Sequence, residues 1–350
     1  MSNLTIGIDL AKNVFQVHGV DGEGRVVLRR KLRRCDVAPF FAGLPKDGSL
    51  IALEACASAH HWGRTLRDMG HRVVLLPPHR VKPFVAPGKK NDANDAAAIA
   101  EAACRPHIYP VPIKSEEQQA LLMLHSTRSL LVRQRTMLVN ALRTHLAELG
   151  LVAPKGIENL VGLVEAMKET KLPATARQAL DVIVQQIESL DTRIDDLERH
   201  VQGHAKSEAL CRLVASIPGI GPITASLLIA SVPDISLFSS ARHFAAWMGL
   251  VPRQNSSGGK SRLGGISKTG NADLRCNLVL GATSLLALAR KKAPPPKLEW
   301  ISALLKRKSS ARLVSVAVAN KLARVVWAVL KTGTLFEPSR WNIAQQQGAA

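Results

Sequence analysis

Residues 4–32, LTIGIDLAKNVFQVHGVDGEGRVVLRRKL, decide the fold of the first part of the chain. Their apolar residues predict three consecutive strands at 4–10, 13–20 and 25–32, with a turn at residues 21–24. Beyond them the pattern predicts a strand at 49–55, a helix at 59–69, a strand at 72–76 and an alanine-rich helix at 94–104. The sequence thus predicts an α/β domain that begins with a three-stranded meander.

Longer helices are predicted from residue 115 onward. Ser115 with Glu116 and Glu117 is typical of a helix start. Apolar residues then recur every three, four or seven positions, at Leu124, Leu131, Leu138, Leu142 and Leu149 and again at Leu180, Ile183, Ile187, Leu190, Ile194, Leu197 and Val201. Two such helices predict a coiled-coil hairpin or a dimer seam, and an internal helical bundle explains the pattern equally well.

The rest of the chain predicts a mostly helical domain. Two helices are expected at residues 272–291 and 310–331, with three consecutive prolines between them. We therefore expect an α/β domain at 1–114, a coiled-coil or helical connection at 115–206, a mostly helical domain at 207–335, and a tail at 336–350 without a recognisable signal.

The charge of the chain is large and uneven. Its 350 residues include 47 Lys and Arg against 27 Asp and Glu, a formal net charge of +20. Residues 1–114 carry +7, residues 115–215 carry −1 and residues 251–331 carry +14. This distribution is typical of a folded protein that binds a polyanion, mainly through its last third. Aromatic residues make up only 4%, which disfavours proteins that bind single strands by stacking on bases.

Cysteine usage and hydropathy indicate the compartment. Five cysteines without a CxxC pair, and an N-terminus without a signal-peptide pattern, predict a cytoplasmic protein. Residues 213–233 carry no charge and are long enough to resemble a membrane span. Pro218, Gly219, Gly221 and Pro222 interrupt this stretch, so we expect two short helices and no membrane contact.

Four carboxylates, here called the acidic quartet, lie where predicted elements begin or end. Asp9 ends the first strand and Glu54 ends the fourth, while Asp92 and Asp95 lie three apart on one face of a helix start. Carboxylates in this layout suit Mg²⁺ or Mn²⁺ and two-metal phosphodiester chemistry in a fold of the RNase H type. The alternative for Asp92 and Asp95 is favourable interaction with the helix dipole.

The turn at residues 217–221, IPGIG, lies between two predicted helices, as in a helix-hairpin-helix. Gly219 and Gly221 would let backbone N–H groups approach a nucleic-acid phosphate. A tight turn between packed helices explains the same residues without a ligand.

The segment at residues 251–271, predicted as a loop, is rich in Gly, Ser and Lys. Arg253, Lys260, Arg262 and Lys268 are placed to neutralise a phosphate, and a serine beside Gly258 is a candidate nucleophile. No neighbouring His supplies a base for that serine, so a phosphate-binding loop without catalysis stays open.

Two further candidates are disfavoured. Tyr109, the single tyrosine, lies in a proline-bounded segment without clustered arginines, which argues against a tyrosine recombinase. Cys56, His60 and His61 lack a visible fourth ligand, so we expect buried structural residues there rather than a metal site.

Jointly, these pieces resemble the DEDD insertion-sequence transposases of the insertion-sequence one-ten family, and most closely its one-one-one-one subgroup. The matching segments, in the family's order over most of the chain, are GIDLAK at 7–12, LEA at 53–55, KNDANDA at 90–96, IPGIGP at 217–222, SSGGK at 256–260 and ISKTG at 266–270.

The resemblance implies a RuvC-like N-terminal domain whose acidic quartet holds a divalent metal, and a C-terminal transposase domain with a nucleophilic serine. The match places the nucleophile at Ser257, with Ser256 as the fallback. It also implies a noncoding bridge RNA that pairs with donor and target DNA, and dimers that assemble into a tetramer in the bacterial cytoplasm at the nucleoid. The active site is then expected to join the quartet of one protomer to the serine of another. The implied reaction is attack of the serine on a DNA phosphate, which gives a phosphoserine, followed by strand exchange and religation.

Two other functions stay open. One is a RuvC-like, metal-dependent nuclease or resolvase in which Ser257 only contacts phosphate. The other is a non-catalytic nucleic-acid-binding protein built on the glycine turn and the basic C-terminal part.

Overall fold

A computed structural model describes residues 4–46, 48–85, 92–255, 262–291, 293–308 and 310–337. The chain forms two compact units, Met1–Glu117 and Gln118–Ala350. The first unit contains a five-stranded sheet with helices on its faces, and the second is mostly helical. The predicted combination of an α/β N-terminal part and a mostly helical C-terminal part is therefore confirmed.

The sheet of the first unit is mixed. Its strands are β1 Thr5–Asp9, β2 Val14–Val20, β3 Val26–Arg33, β4 Leu50–Glu54 and β5 Arg72–Leu76. They lie in the order β3-β2-β1-β4-β5. Neighbours in the meander β1–β2–β3 are antiparallel, whereas β4 is parallel to both β1 and β5. The carboxyl ends of β1 and β4 consequently meet at the same edge of the sheet.

Helices cover both faces of this sheet. They are α1 Arg34–Ala42, α2 Ala59–Asp68, α3 Pro78–Val81 and α4 Asp92–Ala103. Ile6, Ile8 and Phe15 form the core on the face covered by α1 and α2, while Ala52 on the opposite face packs with Ile99 of α4. The sequence did not predict α1 because Pro39 lies inside this helix. Burial of its side chains, rather than helix propensity, stabilises α1.

Long helices open the second unit. They are α5 Glu116–Ala147, α6 Leu160–Glu169 and α7 Ala174–Ser207. The ion pairs Arg128–Glu198 and Arg135–Asp191 join α5 to α7. From the first pair to the second, the residue number rises by seven on α5 and falls by seven on α7. The two helices are therefore antiparallel. The segment between them contains α6, whose Leu160, Leu163 and Met167 are buried against both long helices.

The remaining elements form the largest core of the second unit. They are α8 Ala209–Ala215, α9 Pro222–Ser231, α10 Ala241–Trp247, the strand pair β6 Pro252–Gln254 and β7 Leu263–Ile266, α11 Ala272–Ala289, α12 Glu299–Arg307 and α13 Ala311–Thr332. Residues 251–271, predicted as a loop, thus contain a short antiparallel hairpin. It escaped prediction because its strands have three and four residues and are mostly exposed.

Two helices, α11 and α13, are long and apolar enough to cross a membrane by length and composition. Their buried residues, among them Leu278, Leu285 and Val326, lie in one core with those of α8, α9 and α10. Core helices of a soluble protein pass the same test. The uncharged stretch at 213–233 is divided between α8 and α9, as its prolines and glycines predicted.

Candidate functional site

The first part of the candidate site is a pair of carboxylates at the ends of two parallel strands. Asp9 is the last residue of β1 and Glu54 the last of β4. The preceding residues, Ile8 and Leu53, are partners in the strand register, so the two carboxylates occupy neighbouring positions at the sheet edge. Both residues are half-buried, because the buried strands before them end at this edge.

A glycine on β1 brings the third carboxylate to this edge. A methyl group added at Gly7 would lie 2.3 Å from the Ala96 carbonyl oxygen and 2.5 Å from the Ala100 nitrogen. Only glycine allows the backbone of α4 to lie this close to β1. Asp95, which precedes Ala96 on α4, is therefore held near the carboxyl end of β1.

Electrostatic interactions link these side chains pairwise. Burial raises the pKa of the Glu54 carboxyl above its ordinary value, and the charge of Asp95 raises it further. The pKa of the Cys56 thiol is raised by desolvation and then by the charges of Glu54 and Asp9. The structure therefore brings together three of the four predicted carboxylates, together with a thiol that the sequence did not associate with them.

The donors present suit a hard divalent cation, because carboxylate oxygens are the ligands that Mg²⁺ and Mn²⁺ prefer. Burial first, and then the charge of Asp95, raises the pKa of Glu54, and a bound cation would offset both effects. Asp92, the fourth member of the quartet, begins α4, and its side chain lies outside the described part of the structure. Over the described residues, no three His, Cys, Asp or Glu side chains are grouped as a metal site.

The structure separates the roles of Cys56, His60 and His61, the residues disfavoured above as a metal site. His60 Nδ1 accepts a hydrogen bond from the backbone N–H of Lys114 at 3.2 Å, and desolvation, with the charges of Lys114 and Arg64, lowers its pKa to about 4. It is a half-buried structural residue. Cys56, in the turn after β4, and His61, on the first turn of α2, are exposed as whole residues, so the expectation that they are buried is wrong.

The predicted glycine turn joins α8 to α9. Gly219 has a φ of +87°, and a methyl group there would lie 3.1 Å from the carbonyl oxygen of Gly281 on α11. Its backbone conformation therefore favours glycine, and a side chain there would also be tightly packed. Gly221, by contrast, is exposed, precedes Pro222 as the N-cap of α9 and has open space around it. Of the two positions, Gly221 is the one open to a ligand.

The predicted basic loop is carried by the hairpin β6–β7. Asn255 N–H donates to the Arg262 carbonyl oxygen at 2.9 Å, and Ser267 N–H donates to the Val251 carbonyl oxygen at 2.8 Å. Arg253 and Arg262 therefore flank the segment between the strands, and both are exposed. Lys268 lies just beyond β7 at a φ of +57°. Ser256, Ser257 and Lys260 lie outside the described residues.

The base of this hairpin is fixed to the helical core. Lys268 N–H donates to the Gly249 carbonyl oxygen at 3.1 Å. Arg275, on the first turn of α11, donates from Nη1 to the carbonyl oxygens of Met248 and Thr269 at 3.1 and 2.8 Å. Sequence patterns do not reveal this support, because a turn and a helix start separate Arg275 from the hairpin that it stabilises.

Comparison with known protein families matches both units. A model of DEDD transposases from IS110 elements matches residues 6–150, which include Asp9, Glu54 and Asp95. A model described as the transposase IS116/IS110/IS902 family matches residues 211–295, which include the glycine turn and the hairpin β6–β7.

Full-length relatives are similar over almost the whole chain. A probable family 20 transposase of Pseudomonas aeruginosa is 46% identical over 95% of this chain and 98% of its own length. The transposase for insertion sequence element IS1328 of Yersinia enterocolitica is 40% identical over 96% of this chain and 99% of its own. The transposase for IS1111A of Coxiella burnetii is 40% identical over 93% of this chain and 89% of its own.

Proposed function

The chain belongs to the IS116/IS110/IS902 family of transposases, and we propose that it moves its own insertion sequence as an RNA-guided serine recombinase. A transposase cleaves and rejoins DNA. The observation that carries the proposal is the convergence of Asp9, Glu54 and Asp95 on one edge of the sheet, in an enzyme class that acts on phosphodiesters. The net charge of +20 supports a nucleic-acid substrate.

The first unit is a RuvC-like domain in this proposal. Its strand order, with an antiparallel meander followed by two parallel strands, supports an RNase H type of fold. The antiparallel pairing of α5 and α7 supports a coiled-coil connection, and the turn between α8 and α9 supports a helix-hairpin-helix.

The carboxylates of the acidic quartet would hold a divalent metal, Mg²⁺ or Mn²⁺, at the sheet edge where the scissile phosphate of DNA binds. A bound metal would supply positive charge that offsets the negative charge developing on the phosphate and favours an ionised nucleophile. Asp9 and Glu54 are held by the sheet, and Asp95 is held by the contact of α4 with Gly7, so the carboxylates are oriented before substrate arrives.

The nucleophile in this proposal is the hydroxyl of Ser257. Its oxygen attacks the scissile phosphorus and gives up its proton, while the bond from phosphorus to one sugar oxygen breaks and that oxygen takes up a proton. The products are a phosphoserine and a free DNA hydroxyl. Attack by the hydroxyl of the exchanged strand reverses the step and rejoins the DNA, so the phosphodiester energy is conserved. Arg253, Lys260, Arg262 and Lys268 neutralise phosphates around the serine.

Sequence choice is assigned to a noncoding bridge RNA that pairs with donor and target DNA, as base pairing does in other guided enzymes. The low aromatic content supports this division, since few side chains are available to stack on bases. The protein acts as a dimer that assembles into a tetramer, in the bacterial cytoplasm at the nucleoid.

The test is a search for the covalent intermediate in cells that carry the complete element on a plasmid. Protein is recovered under denaturing conditions and probed for attached DNA. Wild type is expected to carry element-end DNA and Ser257→Ala to lose it, while Ser256→Ala, the matched neighbour, retains it. An adduct that persists in Ser257→Ala contradicts the assignment, and its loss only in Ser256→Ala moves the nucleophile by one residue.

A metal-dependent nuclease or resolvase is the second candidate, favoured by the observation that the carboxylates converge within the first unit alone. That function predicts cut DNA with free ends and no attached protein in wild type. A non-catalytic nucleic-acid-binding protein predicts neither cut ends nor adduct.

A further inference from the structure

We propose that a basic groove in the first unit, lined by Gln16, His18, Arg29, Lys31, Ala93 and Asn94, binds the backbone of the DNA strand on one side of the scissile phosphate. The groove lies between the strands β2 and β3 and the first turn of α4, and has a volume of about 330 Å³. The inference rests on the proposed function, to which it adds a second contact with the same strand.

The strand register places this groove in line with the carboxylates. Asp9 of β1 pairs with Gln16 of β2, and Gln16 pairs with Lys31 of β3. Residues paired across neighbouring strands point to the same face of a sheet. A single row on one face therefore runs from Asp9 through Gln16 to Lys31.

The second row of the groove identifies that face. Gly7 pairs with His18, and His18 pairs with Arg29. Gly7 faces α4, because a side chain added there would meet the backbone of Ala96 and Ala100. Both rows therefore lie on the α4 side of the sheet, where Asp95 is also held.

The spacing suits a nucleic-acid strand. Neighbouring strands of a sheet are about 4.8 Å apart, so the backbone of Lys31 lies about 10 Å from that of Asp9. Successive phosphates of one strand of B-form DNA advance by about 3.4 Å along the helix axis, so this distance corresponds to about three nucleotides along that axis. One strand can thus reach the carboxylates and Lys31 together.

The groove carries exposed, positively charged side chains that a phosphate can contact. Strand β3, VVLRRKLR, carries four basic and no acidic residues. Among the residues that the structure describes, Arg29 and Lys31 form no ion pair, and both are exposed. His18 on the groove floor is buried, and its pKa is lowered by desolvation and by Arg29. The two exposed side chains therefore supply the cationic charge.

Two other arginines of the same hairpin are already neutralised. Arg25 pairs with Asp21 at 3.1 Å and with Glu23 at 2.9 Å, and Arg33 pairs with Asp36 at 2.8 Å. They provide a matched control with the same change in formal charge. Charges on an edge strand also discourage pairing with another sheet. That effect would apply equally to Arg29 and Lys31 and to the control pair, so it predicts no difference between the two double variants.

The test compares Arg29→Gln/Lys31→Gln with Arg25→Gln/Arg33→Gln in the full-length protein. The dissociation constant for a fluorescein-labelled duplex DNA is measured over a salt series in EDTA, where no cleavage occurs. Loss of two phosphate contacts is expected to reduce the slope of log K against log salt by about 1.4 to 1.8 for the groove variant. The control variant is expected to keep the wild-type slope.

A groove variant with the wild-type slope, or a control variant with an equal loss, overturns the proposal.

Acylation of lysines in the folded wild type, read by mass spectrometry, gives an independent measurement: DNA is expected to protect Lys31, and an unprotected Lys31 contradicts the groove. Because DNA binding is measured without cleavage, the groove and the proposed recombinase function can be contradicted independently of each other. A protein that forms the covalent adduct but lacks these binding effects refutes the groove alone. Binding effects without cleavage or adduct refute the proposed function alone.

Discussion

Gly7 determines how closely α4 lies against β1. Its neighbours on the strand, Ile6 and Ile8, are buried on the opposite face, so Gly7 is the residue whose missing side chain lets the helix backbone approach. Because Asp95 lies on that helix, this close approach sets the geometry of the carboxylates as well as the packing of the first unit.

We predict that Gly7→Ala destabilises the first unit and disorganises the carboxylates. The added methyl group meets backbone atoms at 2.3 and 2.5 Å, and overpacking of this kind costs about 1–3 kcal/mol. Urea unfolding followed by the fluorescence of Trp62 measures the change. Gly22→Ala is the control, because a methyl group there meets no atom within 4 Å. Equal stability of Gly7→Ala and wild type would mean that α4 does not depend on this contact.

At the scale of residues, the sequence indicates candidate carboxylates but not the side chains that lie around them. Asp9 and Glu54 were found because each ends an apolar strand, and Asp95 because it lies one turn from Asp92. The approach of Cys56 to these carboxylates depends on the turn after β4, and the row from Asp9 to Lys31 depends on strand register. Neither is visible without the three-dimensional pairing.

At the scale of elements, α5 carries a buried histidine in its apolar stripe. His125 is 5% exposed, and its Nε2 lies 3.0 Å from the Ser226 hydroxyl oxygen on α9. Desolvation, followed by the charges of Arg128 and His204, lowers its pKa to about 4, against a small opposite effect of Asp273. The neutral imidazole is therefore part of the native packing between α5 and α9.

We predict that the second unit loses stability as the pH falls from about 6.5 to about 4. In that window the unfolded chain binds a proton at His125 that the native chain does not, so acid favours unfolding. The free energy of unfolding changes by up to about 1.4 kcal/mol per pH unit for one such proton. Below pH 4 both states are protonated, and this contribution stops changing.

Urea unfolding at several pH values, followed by the fluorescence of Trp247, Trp300 and Trp327, measures this dependence. His125→Leu removes the titrating group and is expected to flatten the slope, although it also removes the bond to Ser226. A slope that is unchanged in His125→Leu would assign the pH dependence to other groups.

The helices show where sequence patterns succeed and where they fail. The long periodic stripes of α5 and α7 were predicted, because their spacing persists over many turns. The shorter helices α6 and α12 and the hairpin β6–β7 were not, since they are stabilised by neighbours distant in sequence. Buried Ile301 of α12, for example, packs into the core of α11 and α13.

At the scale of the whole molecule, positive charge is concentrated where the proposal needs it. Residues 251–331 carry +14 and include the proposed serine, while residues 1–114 carry +7 and include the carboxylates. The nearly neutral stretch between them contains the paired helices α5 and α7, where Arg128 and Arg135 form ion pairs with Glu198 and Asp191. The fold class and the enzyme family followed from the sequence, whereas the nucleophile and the guide RNA rest on resemblance.

The most direct test of the account is excision of the element in cells that express wild type, Asp9→Asn or Asp68→Asn. Joined ends are quantified by amplification across the junction. Asp68 is an exposed acid at the end of α2 in the same unit, so its variant removes one negative charge away from the sheet edge. Asp9→Asn is predicted to lower excision by about 100-fold or more, because metal-assisted stabilisation of the phosphate is worth several kcal/mol, and Asp68→Asn is predicted to excise like wild type. Excision at the wild-type level by Asp9→Asn would contradict the claim that these carboxylates perform the chemistry.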